Sequence, residues 1–152
     1  MIMDAKNTNE KSRANKVIID GKGLILGRAS SRIAKMLLTG TNVIVLNASE
    51  LYISGHKKSM LGKYKQRFDL QDKANPEHSP YWSHRPDFFV KRVIRGMLPY
   101  KRPKGKEAYK RLFVYSNFPE EFKSEKLFNL GAKSSNETFE RAISVKELTE
   151  RL

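Results

Sequence analysis

The chain has 152 residues and a mass of 17.5 kDa, a size at which one domain with a modest core is expected. It contains 30 Lys and Arg residues against 16 Asp and Glu residues, no cysteine, and 39% hydrophobic residues. The lack of cysteine excludes disulfides, thiolate nucleophiles and Cys-ligated zinc or iron–sulfur sites. A net charge of +14 on so small a body indicates a polyanionic partner, either nucleic acid or an anionic membrane surface.

Hydrophobicity along the sequence argues against the membrane. No apolar run approaches the roughly 20 residues that a membrane-spanning helix needs. The first residues, MIMDAKNTNEKSR, contain no hydrophobic stretch of the kind found in signal peptides. We therefore expect a cytoplasmic protein without a membrane partner.

The positive charge is concentrated in the middle of the chain. Residues 1–54 carry 8 basic and 4 acidic side chains, residues 55–111 carry 16 and 5, and residues 112–152 carry 6 and 7. Nine bases and a single acid, Glu107, lie in the segment 91–111. An ordinary solvated surface mixes its charges, so this segment is the predicted contact region for the polyanion.

The first half of the chain predicts a strand–helix–strand unit. Residues 1–16 are polar and aperiodic, which predicts a flexible tail. A strand then begins at Val17, a helix with opposite apolar and basic faces begins at Leu26 and is closed by Gly40, and a second strand covers Val43–Asn47. Because the second strand is apolar throughout, the pattern predicts a parallel βαβ unit whose sheet is covered on both faces.

The next elements alternate helices with exposed connections. Residues 57–68 are predicted to be helical, and the Pro-containing segment Gln71–Pro86 is predicted to form a long surface loop. A second amphipathic helix begins at Asp87 and ends before Pro99. The segment Tyr100–Gly105 is predicted to be a basic loop, extended enough to lie along a phosphate chain.

The last elements are shorter. A short helix is predicted over Lys106–Arg111 and a third strand over Leu112–Tyr115. Residues Ser144 to Glu147 have the Ser-x-x-Glu spacing of a helix capping box, in which the Ser side chain accepts a hydrogen bond from the backbone three residues later. The pattern predicts a helix at the C-terminal end.

A glycine motif follows the first strand. Gly21, Gly23 and Gly27 lie where dinucleotide-binding proteins place a phosphate-binding loop at a helix N-terminus. The interval after Gly23 is one residue longer than usual, and the residues 24–26 that fill it are apolar and favour burial. We interpret the motif as a structural turn and keep a nucleotide-binding enzyme as an alternative.

Other enzymatic or metal-binding patterns are not found in the sequence. His56, His78 and His84 have no cysteine nearby and no helical i, i+4 spacing, so they do not form a metal-ligand pattern. There is also no nucleophile elbow, no Walker lysine loop and no His-Glu-x-x-His motif. We expect no catalytic residue, no cofactor and no metal site.

Basic helix faces and the basic loop are the candidate contact surface. One stripe of bases is typical of any solvated helix, but two stripes and an acid-free loop favour a nucleic acid. Aromatic residues lie among the basic residues, which favours RNA because unpaired nucleobases stack on aromatic rings. Phe88 is expected on the basic side of its helix, whereas Phe68 and Trp82 are expected in the core. The candidate RNA-binding residues are Arg28, Arg32, Lys35, Lys57, Lys58, Lys63, Arg67, Arg85, Lys91, Arg92, Arg95, Lys101, Arg102, Lys104, Lys106, Lys110 and Arg111.

Several short segments carry a family resemblance. They are Ile19–Gly21 with Leu26–Ser30, Val43–Ala48 with Ser54-Gly55, and Arg85-Pro86 with Arg95–Pro99 and Leu112–Tyr115. The most specific of them is the Arg-Gly-Met-Leu-Pro sequence at residues 95–99. Together these segments span residues 17–122 in one order and resemble the ribosomal protein L13 (uL13) family, in its archaeal and eukaryotic form.

The resemblance implies a three-layer α/β/α fold around a small, mainly parallel sheet. It also implies a structural, non-catalytic constituent of the large ribosomal subunit that binds folded large-subunit rRNA beside neighbouring ribosomal proteins, with no DNA partner. Carried over by position, Arg28, Arg95 and the bases in 101–106 are implied RNA contacts. Gly96 weakens its helix relative to Ala, which indicates that a packed helix or an RNA backbone approaches there.

We therefore predict three regions in an α/β protein that has basic loop extensions and a C-terminal helix. Residues 1–16 form a tail, residues 17–122 an rRNA-binding domain, and residues 123–152 an extension that ends in a helix. A regulatory RNA-binding protein that acts away from the ribosome stays open as a second alternative.

Overall fold

The computed structural model describes residues 16–131 and 141–152, so the predicted tail, apart from its last residue, lies outside the described residues. The strands are β1 (Lys16–Asp20), β2 (Asn42–Leu46), β3 (Tyr52–Ser54), β4 (Leu112–Val114) and β5 (Ala142–Ser144). The α-helices are α1 (Leu26–Leu38), α2 (Lys57–Phe68), α3 (Pro86–Gly96), α4 (Pro103–Lys110) and α5 (Val145–Arg151). Short 3₁₀ turns occupy Ala48–Glu50, Pro76–His78 and Glu120–Phe122. In the described ranges, none of the helices combines the length and hydrophobicity needed to span a bilayer.

Strands β1, β2 and β4 form a parallel sheet with β2 in its centre. Val43 of β2 lies opposite Val17 on one side and opposite Leu112 on the other, which fixes the register of all three strands. Gly40 follows α1 with a φ of 97°, the left-handed conformation that suits glycine at a helix end. The predicted βαβ unit, the mixed α/β class and the mainly parallel sheet are confirmed.

The two faces of this sheet are covered differently. Alternation along β2 sends Val43 and Val45 into the main core, where they meet the buried sides of α1 and α3, and sends Ile44 and Leu46 to the opposite face. On that face the smaller cluster is completed by Phe122, from a 3₁₀ turn. Within the described ranges this turn, rather than an α-helix, covers the second face, so the second helical layer of the expected α/β/α arrangement is not seen there.

The C-terminal segment returns to the main core through a pairing that the sequence pattern did not reveal. Strand β5 pairs antiparallel with β3, with Tyr52 opposite Ser144. The Ser144 hydroxyl oxygen accepts a hydrogen bond from the Glu147 backbone N–H at 3.1 Å and so begins α5. Val145 and Leu148 are buried in the main core, and the predicted terminal helix is confirmed.

The predicted extended loop Tyr100–Gly105 is wrong in its second half, because α4 already begins at Pro103. Proline is well tolerated at the first position of a helix, where its missing N–H would have had no partner. A Cβ at Gly105 would collide with the carbonyl of Pro99, so glycine allows the chain to fold back tightly on itself. The basic segment is therefore a compact turn followed by a helix.

The glycine motif near α1 is a packing feature. The Gly21 N–H donates to the Leu46 carbonyl at 2.8 Å, and a Cβ at Gly21 would lie 2.8 Å from the same oxygen. Leu24 and Ile25, directly in front of α1, are buried, as is Leu26 at its first position. These contacts favour the structural turn over a phosphate-binding loop, since the residues in front of the helix are committed to the core.

Candidate nucleic-acid interface

Helix α3 presents a basic outer face because its apolar positions are buried. Phe89, Val90 and Ile94 are no more than 1% exposed and pack in the main core. Pro86 begins the helix and Asp87 lies in its first turn, where a negative charge is favourable near the helix N-terminus. The face opposite the core is left to the bases of the 91–95 segment.

The bases around α3 lie over aromatic rings. The Lys91 ammonium nitrogen lies 5.3 Å from the ring centroid of Tyr109, and the Arg92 guanidinium carbon lies 4.0 Å from that of Trp82. The guanidinium carbons of Arg95 and Arg85 lie 5.2 Å from the centroid of Tyr100 and 4.7 Å from that of Phe88, respectively. Arg92 Nη1 also donates to the Tyr81 carbonyl at 2.6 Å, which uses one of the five guanidinium N–H donors. Cation–π contacts of this kind fix the position of a long side chain without consuming its hydrogen-bond donors.

These side chains surround two adjoining cavities. The first, which we name the α3 groove, has a volume of about 430 Å³ and is lined by Tyr81, Ser83, Arg85, Phe88, Arg92, Arg95 and Tyr109. The second, which we name the α3–α4 shelf, has a volume of about 570 Å³ and is lined by Arg95, Gly96, Leu98, Pro99, Tyr100, Lys101 and Arg102. Arg95 lines both cavities, and no acidic side chain lines either one.

The like charges in this region affect each other. Burial lowers the pKa of Arg92, and the positive charge of Arg95 lowers it further. Burial raises the pKa of the Tyr109 hydroxyl, although Arg95 acts in the opposite direction. Tyr109 is therefore neutral at physiological pH and can donate a hydrogen bond, and an anion placed between Arg92 and Arg95 would relieve their mutual repulsion.

The predicted stripe of basic residues on α1, which consists of Arg28, Arg32 and Lys35, has a different environment from the basic face of α3. Arg28 and Lys35 are exposed, as the helix periodicity predicts. Arg32 is also exposed, but its Nη1 donates to the Leu130 carbonyl and so ties the helix to the segment after β4. The stripe exists as a surface, although one of its members already has a structural partner.

The remaining candidates are divided between free surface and intrachain contacts. Of the candidates in α2, in the turn before α4 and in α4, those that are exposed and form no ion pair with the described residues are Lys58, Lys63, Arg67, Lys101, Arg102, Lys104, Lys106 and Lys110. Lys57 pairs with Glu147 at 3.3 Å, and Arg85 pairs with Asp87 at 2.8 Å. Arg111 is half-buried and its Nη2 donates to the Leu37 carbonyl at 3.2 Å, at the C-terminal end of α1.

The aromatic residues are placed largely as predicted. Phe88 is 49% exposed on the basic side of α3. Trp82 packs against the core, with its ring centroid 6.2 Å from that of Phe89, and Phe68 lies half-buried beside Trp82. Sequence reasoning did not single out Ser83, whose only signal is its place between the aromatic pair 81–82 and the basic helix.

Comparison with known proteins agrees with the resemblance seen in the sequence. A family model described as "Ribosomal protein L13" matches residues 14–121, which include every residue that lines the two cavities. Among proteins named large ribosomal subunit protein uL13, that of Methanosphaera stadtmanae is 41% identical over 111 residues, which cover 72% of this chain and 78% of the relative. That of Methanococcoides burtonii is 37% identical over 136 residues, which cover 89% of this chain and 96% of the relative. That of Methanosarcina barkeri is 45% identical over 107 residues, which cover 70% of this chain and 74% of the relative.

Proposed function

Since this chain belongs to the ribosomal protein L13 family, we propose that it is a structural constituent of the large ribosomal subunit that binds and stabilises folded rRNA. The observation that carries the proposal is the acid-free pair of cavities around α3, in which Arg92 and Arg95 are held against aromatic rings. The role involves neither catalysis nor a cofactor. Its further partners are the neighbouring proteins of the cytoplasmic large subunit.

Fixed guanidinium groups suit this role for a physical reason. Arginine offers a planar set of donors that matches two phosphate oxygens at once, and such charge-assisted bonds are stronger than neutral ones. A side chain that is already ordered loses less conformational entropy when it binds. Arg92 and Arg95 therefore favour phosphate binding more than equal charges on mobile side chains would.

The proposed contact surface is wider than the two cavities but excludes some candidates. It contains Arg28, Lys35, Lys58, Lys63, Arg67, Arg85, Lys91, Arg92, Arg95, Lys101, Arg102, Lys104, Lys106 and Lys110. We propose that Arg32, Lys57 and Arg111 act mainly within the fold, because their charged groups have carbonyl or carboxylate partners and they line neither cavity. Arg85 and Arg92 also have such a partner, but both line the α3 groove and so stay in the proposed surface. Recognition is expected through the shape and backbone of the RNA, as no base-reading motif is present in the sequence.

The test uses the full chain expressed with a tag in cells. Replacing Arg95, Lys101 and Arg102 with Glu should remove the protein from large-subunit fractions after a high-salt wash, while the purified variant keeps its circular dichroism spectrum. The matched control replaces the exposed bases Lys22, Lys73 and Lys126 with Glu, which gives the same change in net charge elsewhere on the described surface. The control should incorporate normally.

Two results would contradict the proposal. Normal incorporation of the first variant would show that the surface around α3 does not bind rRNA. A wild-type pool that stays free of ribosomal particles would favour a regulatory RNA-binding protein instead.

A further inference from the structure

We propose that the α3 groove holds a single unpaired nucleotide of the bound RNA, with its base on the exposed rings of Phe88 and Tyr81 and its phosphate on Arg92 and Arg95. The inference rests on the proposed function and extends it, because it names the element of RNA structure that this site selects.

The size and walls of the groove suit one nucleotide. Its volume of about 430 Å³ lies within the roughly 300–1,000 Å³ of cavities that hold one small organic molecule. Phe88 is 49% and Tyr81 81% exposed although they lie on a strongly charged face. A base would stack on Tyr81 and on the part of the Phe88 ring that Arg85 does not cover. Every base has an apolar face that can stack on such rings, whatever the sequence of the RNA.

The polar groups of the groove are donors, as a phosphate or a base edge requires. Ser83 Oγ accepts the backbone N–H of Arg85 at 3.1 Å, which leaves its own hydroxyl proton for a ligand. The Tyr109 hydroxyl is held neutral by burial, which raises its pKa, and can likewise donate. An acceptor-rich ligand therefore fits the groove better than a cation or a donor-rich ligand.

The groove is pre-formed because its inner wall is anchored to the core. The Trp82 ring contacts both Arg92 and Arg67, whose guanidinium carbons are 4.0 and 5.7 Å from the ring centroid. The same ring packs against Tyr64 and Phe89, with centroids 6.2 Å away in each case. The loop that carries Tyr81 and Ser83 is thereby fixed to α3, and the ligand need not order it.

Paired RNA cannot use this arrangement. In an A-form helix the bases are stacked inside and the major groove is too narrow for side chains, so only an unpaired base can reach the rings. A duplex would contact the exposed basic side chains at the rim and leave the groove empty. An acidic peptide would engage the arginines but would leave the rings uncovered, so a nucleotide matches the whole lining better.

The test compares the binding of the full chain to two RNA hairpins. One hairpin is fully paired in its stem, and the other is the same hairpin with a single bulged 4-thiouridine. The wild-type protein should bind the bulged hairpin roughly tenfold more tightly, in keeping with one base–aromatic stack. On irradiation the bulged nucleotide should crosslink to the peptide that contains Tyr81 or Phe88.

Variants then separate the groove from general RNA binding. Phe88→Ala should reduce the ratio of the affinities for the bulged and the paired hairpin from roughly ten to about one, whatever it does to binding of the paired hairpin. Phe113→Ala is the matched control, because Phe113 has the same 49% exposure but lies on β4, outside the groove. Tyr81→Ala provides a second variant should Phe88→Ala lower the melting temperature, since Tyr81 is more exposed and uses only its backbone carbonyl to hold Arg92.

The possible failures are distinguishable. Equal affinity for both hairpins, or a crosslink that maps outside the groove, would overturn this inference and leave the proposed function intact. If the wild-type protein bound neither hairpin, the proposed function would be overturned as well. Displacement of the bulged hairpin by an equal concentration of polyglutamate would show that the groove takes an acidic peptide and would also overturn the inference.

Discussion

Helices α1 and α3 have the same sequence pattern but different surfaces. Both bury an apolar face in the main core, with Ile33 2% and Phe89 1% exposed, and both carry bases on the opposite face. Among the described residues, no aromatic ring lies under the bases of α1, whereas the bases of α3 lie over Tyr109, Trp82 and Tyr100.

This difference shows that the number of charges on a helix is a poor measure of its capacity to bind an anion. An exposed lysine or arginine must lose side-chain freedom when it binds a phosphate, and its charge is screened by salt until then. The arginines of α3 were ordered when the protein folded. We therefore expect the two helices to contribute equally to stability and unequally to RNA binding.

The largest expected effect is on the free energy of unfolding, and it comes from the buried faces of α1 and α3, which should behave alike. Ile33→Ala in α1 should lower the free energy of unfolding by about 2–5 kcal/mol and Phe89→Ala in α3 by about 3–5 kcal/mol, because each leaves a cavity in a packed core. Urea denaturation of the full chain measures both values. A loss below about 1 kcal/mol for either variant would show that its helix packs less tightly than the structure indicates.

The next largest effect is on rRNA binding, and it comes from the exposed basic faces of α1 and α3, which should differ. Arg92→Gln with Arg95→Gln should weaken rRNA binding by about 150-fold or more, since each charge-assisted hydrogen bond contributes about 1.5–3 kcal/mol and two are lost. Arg28→Gln with Lys35→Gln removes the same charge from α1 and should cost less than about fivefold, as expected for exposed, screened charges.

The salt dependence of binding measures the same contrast. If about eight bases neutralise phosphates, log K should fall against log salt with a slope of about −6 to −7. The α3 pair should flatten this slope by about 1.5, and the α1 pair should change it less. Equal changes for the two pairs would remove the distinction between the helices.

The smallest effect concerns one exposed glycine on each helix. A Cβ at Gly27 in α1 or at Gly96 in α3 would meet no atom of the described chain within 4 Å, so Ala at either position should stabilise the free protein by up to about 1 kcal/mol. Gly96 lines the α3–α4 shelf, where an RNA backbone can approach closely. Gly96→Ala should therefore raise the melting temperature but weaken rRNA binding, whereas Gly27→Ala should raise the melting temperature only. Weaker binding by both variants would place RNA on α1 as well.

Local sequence patterns predicted the elements whose stability is itself local. The amphipathic repeat of α1, the glycine that closes it and the capping box at Ser144 each involve residues within a few turns of one another. The pairing of β3 with β5 was missed because each strand has three residues and they lie far apart in the chain. The start of α4 was missed because proline at residue 103 fits both a loop and the first position of a helix.

The sequence alone determined the charge of the surface, its concentration in the 55–111 segment and the helices on which the bases would be displayed. Only the tertiary structure decided which of these bases are held ready to bind. The rings that hold them come from the loop before α3, from the turn after it and from α4, and these segments meet only when the apolar side of α3 is buried. The positions of cations relative to rings depend on packing between distant segments, which no periodicity along the chain encodes.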